Sequence, residues 1–243
     1  MRLRSLVLCY HAVTDCWDDP LAIPAATIER QVRMLLRRGY RPVDAVSALT
    51  DERLTLHVTF DDAFRNVAGV LPALQRLGVG VTIFACTRFA EDGRPFHVSE
   101  LRGRAPARED ELLTMPWDTL RELARQGVEI GSHTVSHPHL TWLSDRDLRA
   151  ELVDSKRRIA DELGRECRVL AYPYGDDDDR VRAATRAAGY EAAFSLGGRA
   201  GELDRFSLPR VDVYRGDGRV RFALKVSPLR GAASTVRGAL SAS

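Results

Sequence analysis

The stretch LTLHVTFDD, residues 54–62, predicts a buried β-strand that ends in two acidic residues, Asp61 and Asp62. The amphipathic segment Arg65–Leu77 follows it and predicts a helix, and a second apolar run, Gly80–Cys86, predicts another strand. A strand, a helix and a strand in this order form a βα unit, in which the two strands run parallel. The acidic end of the first strand then lies at the carboxyl edge of the sheet.

The same alternation continues in both directions along the 243 residues of the chain. The other predicted strands are Ser5–Tyr10, Val128–Ile130, Arg168–Tyr172, Tyr190–Phe194 and Leu208–Val213, and the other predicted helices are Ala26–Arg38, Trp117–Gln126 and Ser144–Leu163. Pro72 is expected to interrupt the helix Arg65–Leu77, and the acids Asp176–Asp179 are typical of a further helix N-terminus. This count favours an α/β fold, a distorted (β/α) barrel of about seven parallel strands with its active site at the strand C-terminal ends.

Two segments depart from this alternation. Residues 88–115 are polar, contain glycine and proline, and show no clear period, so we expect a long insertion that acts as a lid or binding loop. The tail, residues 219–243, carries five basic residues and no acids, with apolar residues between them. It predicts either a last barrel element or a weak contact with an anionic membrane surface. We therefore expect one catalytic barrel over residues 1–218, followed by the tail.

Composition excludes several classes of protein. The formal net charge is +2, so a nucleic-acid partner is not expected. The four cysteines form no CxxC pair, which disfavours a zinc-cysteine or redox motif and predicts reduced, structural thiols. The apolar run Leu6–Tyr10 is shorter than the roughly 7–15 residues of a signal sequence core, and no run approaches the roughly 18 residues of a membrane span. A cytoplasmic location is the expectation.

A second polar motif, GSHTVSHP at residues 131–138, follows the predicted strand Val128–Ile130. One helical turn would place His133 and His137 on the same face. Alone, the two acids after residue 60 are typical of a strand-to-helix corner, and two histidines are typical of a cap or a core. Together they offer one carboxylate and two imidazoles, the ligand number of a catalytic zinc site. Ligation by Asp62, His133 and His137, with Asp61 as the base, uses every group.

The sequence resembles the polysaccharide deacetylases, also called NodB-homology or carbohydrate esterase family 4 enzymes. "TFDD" resembles the first family motif, which implies that Asp61 is the base and Asp62 a metal ligand. "SHTVSH" resembles the second motif, which implies that His133 and His137 are ligands. The resemblance implies one divalent metal ion, with zinc as the expected ion, and hydrolysis of an N-acyl group from an amino sugar or glycan.

Weaker matches extend the resemblance over nearly the whole chain. "YPYG" at residues 172–175 resembles the third motif, which implies that the backbone amide of Tyr174, after Pro173, helps to hold the oxyanion. "LPRV" at residues 208–211 and the dipeptide Tyr10-His11 are similar to a subset of the family.

Three departures from the family pattern bear on mechanism. Ala63 stands where the family usually has glycine. Ala171 stands where many members carry an arginine, so Arg210 is the better candidate to pair with Asp61. The C-terminal Leu-x-His motif that supplies a general acid in many members is absent, because no histidine follows His139.

His11 is the candidate for the missing acid. It follows the first predicted strand, so it lies at the carboxyl rim of the barrel, and the ordinary pKa of imidazole suits proton donation near neutral pH. The alternative is that His11 only orients Asp61 or Asp62 by hydrogen bonding. Of the other histidines, His57 is predicted to be buried and hydrogen-bonded in its strand, and His139 is predicted to lie in a surface loop near the ligands.

The predicted function is metal-dependent N-deacetylation of a sugar, a glycan or a lipid-linked sugar. Three alternatives stay open at this point. The first is a deformylase or cyclic-amide hydrolase of the same family, and the second is a non-catalytic carbohydrate-binding relative. An iron(II) oxygenase also uses two histidines and one carboxylate. Its usual His-x-Asp order on an all-β jelly roll differs from the order seen here.

Overall fold

The computed structural model describes residues 5–47, 53–101, 103–104, 106–196 and 204–227. In these residues the chain forms eight strands and seven α-helices. The strands are β1 (Ser5–Tyr10), β2 (Arg41–Pro42), β3 (Thr55–Phe60), β4 (Val81–Ala85), β5 (Glu129–Ser132), β6 (Val169–Ala171), β7 (Ala192–Leu196) and β8 (Leu208–Asp212). The helices are α1 (Ala25–Arg37), α2 (Leu71–Arg76), α3 (Thr87–Ala90), α4 (Trp117–Arg125), α5 (Asp145–Leu163), α6 (Asp179–Ala187) and α7 (Arg219–Lys225).

Seven of these strands close into a parallel barrel. Their order is β1, β8, β7, β6, β5, β4 and β3, and β3 pairs again with β1 over six residues, from Ser5 opposite Thr55 to Tyr10 opposite Phe60. The short strand β2 pairs with the first two residues of β3. The distorted (β/α) barrel expected from the sequence is therefore confirmed.

Strand alternation divides the buried side chains into two groups. Residues such as Leu8, Phe60 and Ile83 belong to the large core between the barrel and the outer helices. A smaller cluster lies within the barrel, consisting of Val7, Ala45, Phe84, Val169, Ala171, Ala192, Phe194 and Leu208. A Cβ at Gly131 would lie 2.5 Å from the Phe84 ring, so glycine in β5 leaves room for that ring. Packing of this kind makes the barrel a solid support for side chains at its rim.

The predicted elements match the observed ones at most ends to within two residues. Ser144 caps α5 by accepting a hydrogen bond from the Asp147 amide at 3.2 Å, and Asp178 caps α6 by accepting one from the Val181 amide at 2.7 Å. The prediction of one helix over Arg65–Leu77 interrupted by Pro72 was wrong. A 3-10 turn ends at Gly69, and Pro72 lies in the first turn of α2, where a missing N–H costs no hydrogen bond.

Parts of the insertion pack against residues that follow β1 and β3. The Trp17 indole donates to the Arg104 carbonyl at 2.8 Å, and the guanidinium of Arg104 pairs with Asp19. Phe96 is buried against Phe64. A movement of this segment as a lid stays a prediction.

The first part of the tail forms the helix α7. In α7, Phe222 is buried, and Lys225 contacts the Asp212 carbonyl and the Asp217 carboxylate. Residues 228–243 of the tail lie outside the described residues, and the membrane contact predicted for the tail stays a prediction. Among the described residues, no helix combines the length and the apolar composition that crossing a membrane requires.

Candidate active site

The turn after β3 directs both acids into one site. Asp61 still belongs to the strand pairing, since its amide donates to the Tyr10 carbonyl at 2.9 Å. Asp62 and Ala63 then adopt left-handed backbone conformations, with φ of 65° and 51°. This reversal brings two neighbouring side chains to the same side, which a continuous strand forbids. Ala63 occupies a position that glycine adopts with less strain, which explains why the family usually has glycine there.

A buried ion pair fixes Asp61. Arg210, in β8, donates from Nη1 to Oδ1 at 2.6 Å and from Nη2 to Oδ2 at 2.8 Å, and Nη1 also donates to the Thr59 hydroxyl at 3.2 Å. The Cys9 thiol lies 3.4 Å from Asp61 Oδ2 as a further donor. The pairing of Arg210 with Asp61 expected from the sequence is present, and its two-pronged geometry sets the plane of the carboxylate.

The charge state of Asp61 follows from this environment. Burial raises the pKa of the carboxyl, but the Arg210 charge, with smaller contributions from His133, the Arg210 hydrogen bonds and His11, more than offsets it. The pKa of Asp61 therefore lies well below its usual range. Asp61 stays ionised at neutral pH, which is the form that accepts a proton.

The two histidines of the second motif converge in an irregular loop. Thr134 and His137 have φ of 71° and 63°, so the single helical turn expected from the HxxxH spacing is not formed. Glu151, in α5, holds this loop, because its carboxylate accepts the amides of Val135 at 2.8 Å and Ser136 at 3.0 Å. The loop brings the two imidazoles together, with ring centroids 4.8 Å apart.

Asp62, His133 and His137 form a group that fits a metal ion. Asp62 Oδ1 lies 3.5 Å from Nε2 of both histidines. A tetrahedral zinc site with bonds of about 2.1 Å has ligand atoms about 3.4 Å apart, so the observed spacing matches. The Nδ1 atom of His133 contacts the Ala171 carbonyl at 2.8 Å, which fixes the ring with Nε2 toward Asp62.

Electrostatics supports the same interpretation. Burial, with a further contribution from the Asp61 charge, raises the pKa of Asp62 well above its usual value. Burial lowers the pKa of His133 to about 4 and that of His137 well below its usual value, so both imidazoles are neutral at neutral pH. Asp62 Oδ1 is buried and has no hydrogen-bond partner. A cation between these groups would stabilise the carboxylate and satisfy the lone pairs of the two rings.

The YPYG motif forms a tight turn beside this group. Tyr174 has φ of 60°, and its ring lies edge-on to His137 at 4.6 Å between centroids. Gly175 has φ of 72°, and a Cβ there would lie 2.3 Å from the Leu196 side chain. Pro173 is buried at the start of the turn. These contacts hold the predicted oxyanion residue next to the metal-ligand group.

His11 directly follows β1 and lies near Asp61. Ligand atoms of Cys9, His11 and Asp61 lie within 4.8 Å of one another. Burial lowers the pKa of His11, and the charges of Asp61 and Asp212 oppose that effect. His11 Nδ1 is buried without a hydrogen-bond partner. A single water can bridge this separation between His11 and Asp61.

Sequence reasoning missed three supporting groups: Cys9 beside Asp61, Glu151 beneath the histidine loop, and Phe96, whose ring lies 5.2 Å from that of His137. The alternation of β1 did place Cys9 on the inner face, which was the one available signal. His57 is buried as predicted, with its ring nitrogens 2.9 Å from the Val43 carbonyl and 2.8 Å from the Thr82 hydroxyl. All four cysteines are unpaired, as predicted.

The sequence profile of the polysaccharide deacetylase family matches residues 49–193, more than half of the chain. The chain belongs to this family, and the resemblance drawn from its motifs is confirmed. YxkH, a polysaccharide deacetylase-type protein of Bacillus subtilis, is 24% identical over 220 residues, which are 86% of this chain and 71% of that protein. Chitin deacetylase 1 of Cryptococcus neoformans is 44% identical over 63 residues, 26% of this chain and 13% of that protein.

Solved structures share the fold. The Streptococcus pyogenes deacetylase PplD superposes with a TM-score of 0.73 at 20% identity, covering 92% of this chain and 98% of PplD. A de-N-acetylase from Aggregatibacter actinomycetemcomitans gives a TM-score of 0.74 at 19% identity, covering 91% of this chain and 99% of that one. The family and its relatives support a hydrolase that deacetylates carbohydrates.

Two isosteric substitutions of adjacent acids separate ligand from base. Asp62→Asn removes a charged donor from the three-ligand group, so we expect loss of most bound metal. Asp61→Asn leaves that group intact, so we expect metal content near the wild-type value of about one ion per chain. Mass spectrometry of the dialysed proteins measures both. Equal metal loss in the two variants would contradict the assignment of the acids.

Replacement of Arg210 tests the origin of the low pKa of Asp61. In Arg210→Met the pKa of Asp61 rises, because burial is no longer offset by the guanidinium, so the acid limb of the kcat/KM profile moves to higher pH. Arg210→Lys keeps the charge and is expected to move the limb less. Thermal melting of both variants controls for the cost of an unpaired buried charge, about 3–5 kcal/mol. An unchanged acid limb in the folded methionine variant would show that Arg210 has a purely structural role.

Proposed function

We propose that this protein is a metal-dependent N-deacetylase that hydrolyses an N-acetyl group on an amino sugar or glycan. One observation carries the proposal: Asp61 is paired with Arg210 and adjacent to the group formed by Asp62, His133 and His137. Asp61 Oδ2 lies 3.9 Å from His133 Nε2, so it faces the donor group without belonging to it. A base beside an open metal group is what hydrolysis of an amide requires.

The metal group and the base have separate tasks. A divalent ion, with zinc as the proposed ion, would be held by Asp62, His133 and His137 and would supply a Lewis acid that polarises the acetamide carbonyl and acidifies water. Asp61 accepts the proton of the attacking water. Arg210 keeps Asp61 ionised and fixes its orientation through two hydrogen bonds, so the acceptor lone pairs stay directed to one place.

The charge that develops on the carbonyl oxygen needs a fixed donor. We assign this role to the backbone N–H of Tyr174, which follows the buried Pro173 in the strained turn. A backbone amide held by a rigid turn costs little reorganisation when the oxyanion forms. The edge-on contact between the Tyr174 ring and the His137 ring holds this turn against the group formed by Asp62, His133 and His137.

The leaving amine needs a proton, and His11 is the group we propose for its delivery. Burial holds the pKa of His11 below its usual value, so the ring is neutral before reaction. It acts as an acid only after it has received the proton released in the attack. Asp61, within 4.8 Å, is the source, so the proton taken from water passes through Asp61 and His11 to the amine.

The alternatives predict different chemistry at the same site. A deformylase or a cyclic-amide hydrolase would use the same base and metal group on a different amide. A carbohydrate-binding relative would not need Asp61 held ionised. The iron(II) oxygenase alternative shares the ligand types, but the jelly roll on which it rests is not this fold. A lipid-linked sugar as substrate and a cytoplasmic location stay predictions.

Product analysis tests the function directly. Purified, zinc-supplemented protein is incubated with N-acetyl and N-formyl amino sugars, with N-acetylated hexosamine oligomers and with cyclic amides, and mass spectrometry follows the products. We expect loss of an acetyl group from a sugar, and a kcat lower by roughly 10²–10⁴ in Asp61→Asn. Hydrolysis of the formyl or cyclic substrates alone would favour the alternatives. Binding of a sugar without turnover would favour a carbohydrate-binding relative.

A leaving-group comparison tests His11. His11→Gln keeps a polar side chain but cannot carry a proton, so we expect kcat on an N-acetyl sugar to fall by roughly 10²–10⁴. The same variant should hydrolyse 4-nitrophenyl acetate nearly as fast as wild type, because that leaving group departs without a proton. If glutamine preserves sugar deacetylation while alanine does not, His11 orients the carboxylates and is not the acid.

A further inference from the structure

We propose that Trp142 is a stacking platform for a sugar residue adjoining the one that is deacetylated, so Trp142 sets a preference for a longer glycan over a monosaccharide. The inference rests on the proposed function. Among the described residues, Trp142 is the tryptophan that lies in solvent, with 78% of its surface exposed, whereas Trp17 and Trp117 are buried at 2% and 5%. Water solvates the faces of an indole ring poorly, so burial of the exposed Trp142 ring against a ligand is favourable.

The indole ends a stack of rings that begins at the metal-ligand group. The Trp142 ring lies 4.0 Å from that of His139, with 24° between the planes. On its other side, the His139 ring lies 3.8 Å from that of Tyr174, with 16° between the planes. The Tyr174 ring in turn contacts His137 edge-on at 4.6 Å. His139 therefore has a ring against each face, and Trp142 is the outermost member.

The backbone that carries Trp142 is fixed. Leu140 is fully buried and anchors the 3-10 turn Leu140–Trp142. The Arg180 guanidinium, from α6, donates to the carbonyls of Leu140 at 3.3 Å and Thr141 at 3.1 Å. His139 Nδ1 lies 3.1 Å from an Asp176 carboxylate oxygen, which holds the middle ring of the stack. These contacts hold the backbone that carries Trp142, and burial of the indole itself is not needed for that.

The position of the platform determines which sugar residue it can contact. Two rings separate Trp142 from His137, so the indole lies beside the reaction centre and not within it. A pyranose with equatorial substituents has a face of axial C–H groups, which packs on an indole as an apolar surface with favourable electrostatics. When one sugar residue is bound for reaction beside Asp62, His133 and His137, the Trp142 ring is available to the neighbouring sugar residue of the same glycan. A monosaccharide cannot reach both places.

Activity against chain length tests the platform. The substrates are N-acetylglucosamine and its β-linked dimer, trimer and tetramer, and the variants are Trp142→Ala, Trp142→Phe and the matched control Leu224→Ala, which removes another exposed apolar side chain. We expect Trp142→Ala to lower kcat/KM for the tetramer by roughly three- to tenfold, the value of one aromatic stacking contact, and to leave that for the monosaccharide unchanged. Trp142→Phe should retain most of the tetramer activity, and Leu224→Ala all of it.

Fluorescence gives an independent measurement. In an Asp61→Asn background, which slows turnover, the tetramer should change the tryptophan emission, and Trp142→Phe should abolish that change, because the other two indoles are buried. Equal activity of Trp142→Ala and wild type on every chain length would overturn the platform and leave the deacetylase function standing. An equal loss on monosaccharide and tetramer would also overturn it, since Trp142 would then act only by supporting Tyr174. Absence of turnover and binding of all four sugars in wild type would refute the proposed function itself.

Discussion

The pairing of β1 with β3 is the constraint on which the site depends. It closes the barrel over six residue pairs, with Ser5 opposite Thr55 and Tyr10 opposite Phe60. Because the strands are parallel and in this register, the residues that follow them, His11 and Asp61, emerge at the same level of the rim. The pairing of β1 with β8 brings Arg210 to the interior beside both. Three groups far apart in sequence thereby share one polar cluster inside a closed, packed barrel.

Backbone strain is concentrated where this cluster meets the rim. Among the described residues other than glycine, those with positive φ are Asp62, Ala63, Thr134, His137 and Tyr174, and each lies in or directly after one of the three motifs. Left-handed conformations of this kind cost roughly 1–2 kcal/mol for a residue with a Cβ. The surrounding contacts offset that cost: Glu151 holds the histidine loop, and the Met115 amide donates to the Ala63 carbonyl at 2.8 Å. Strain of this type fixes the directions of the proposed metal ligands and of the Tyr174 amide before any ligand binds.

This chain has Ala171 where many members of the family carry an arginine, and the positive charge beside Asp61 comes from another strand of the barrel. Ala171 in β6 and Arg210 in β8 both have inward side chains, and the interior is narrow enough for a long guanidinium from either strand to cross it. With alanine in β6, space is left for the Arg210 side chain, whose guanidinium also lies over the Phe84 ring at 5.5 Å. Arg210 therefore pairs with Asp61 because both side chains lie inside the barrel, although the two residues are far apart in sequence.

The sequence by itself determined the strand and helix order, the barrel class and the two principal motifs. Periodicity and the end-residues Asp61, Asp62, His133 and His137 are local properties, and parallel βα units place such ends at one rim. It also indicated Arg210, through the absence of an arginine at residue 171. It did not give the geometry of the histidine loop: the HxxxH spacing fits one helical turn, whereas left-handed residues form an irregular loop.

Only the tertiary structure decided which remote groups complete the site. The Cys9 thiol beside Asp61, the Glu151 carboxylate under the histidine loop and the Phe96 ring against His137 come from separate elements, and strand alternation gives the facing of Cys9 but not its partner. The stacking of the Tyr174 ring on the His139 ring is of the same kind. Propensity and periodicity act over a few residues, whereas these contacts join segments tens of residues apart. Barrel closure and helix packing set their distances, and neither is encoded in a single stretch of the chain.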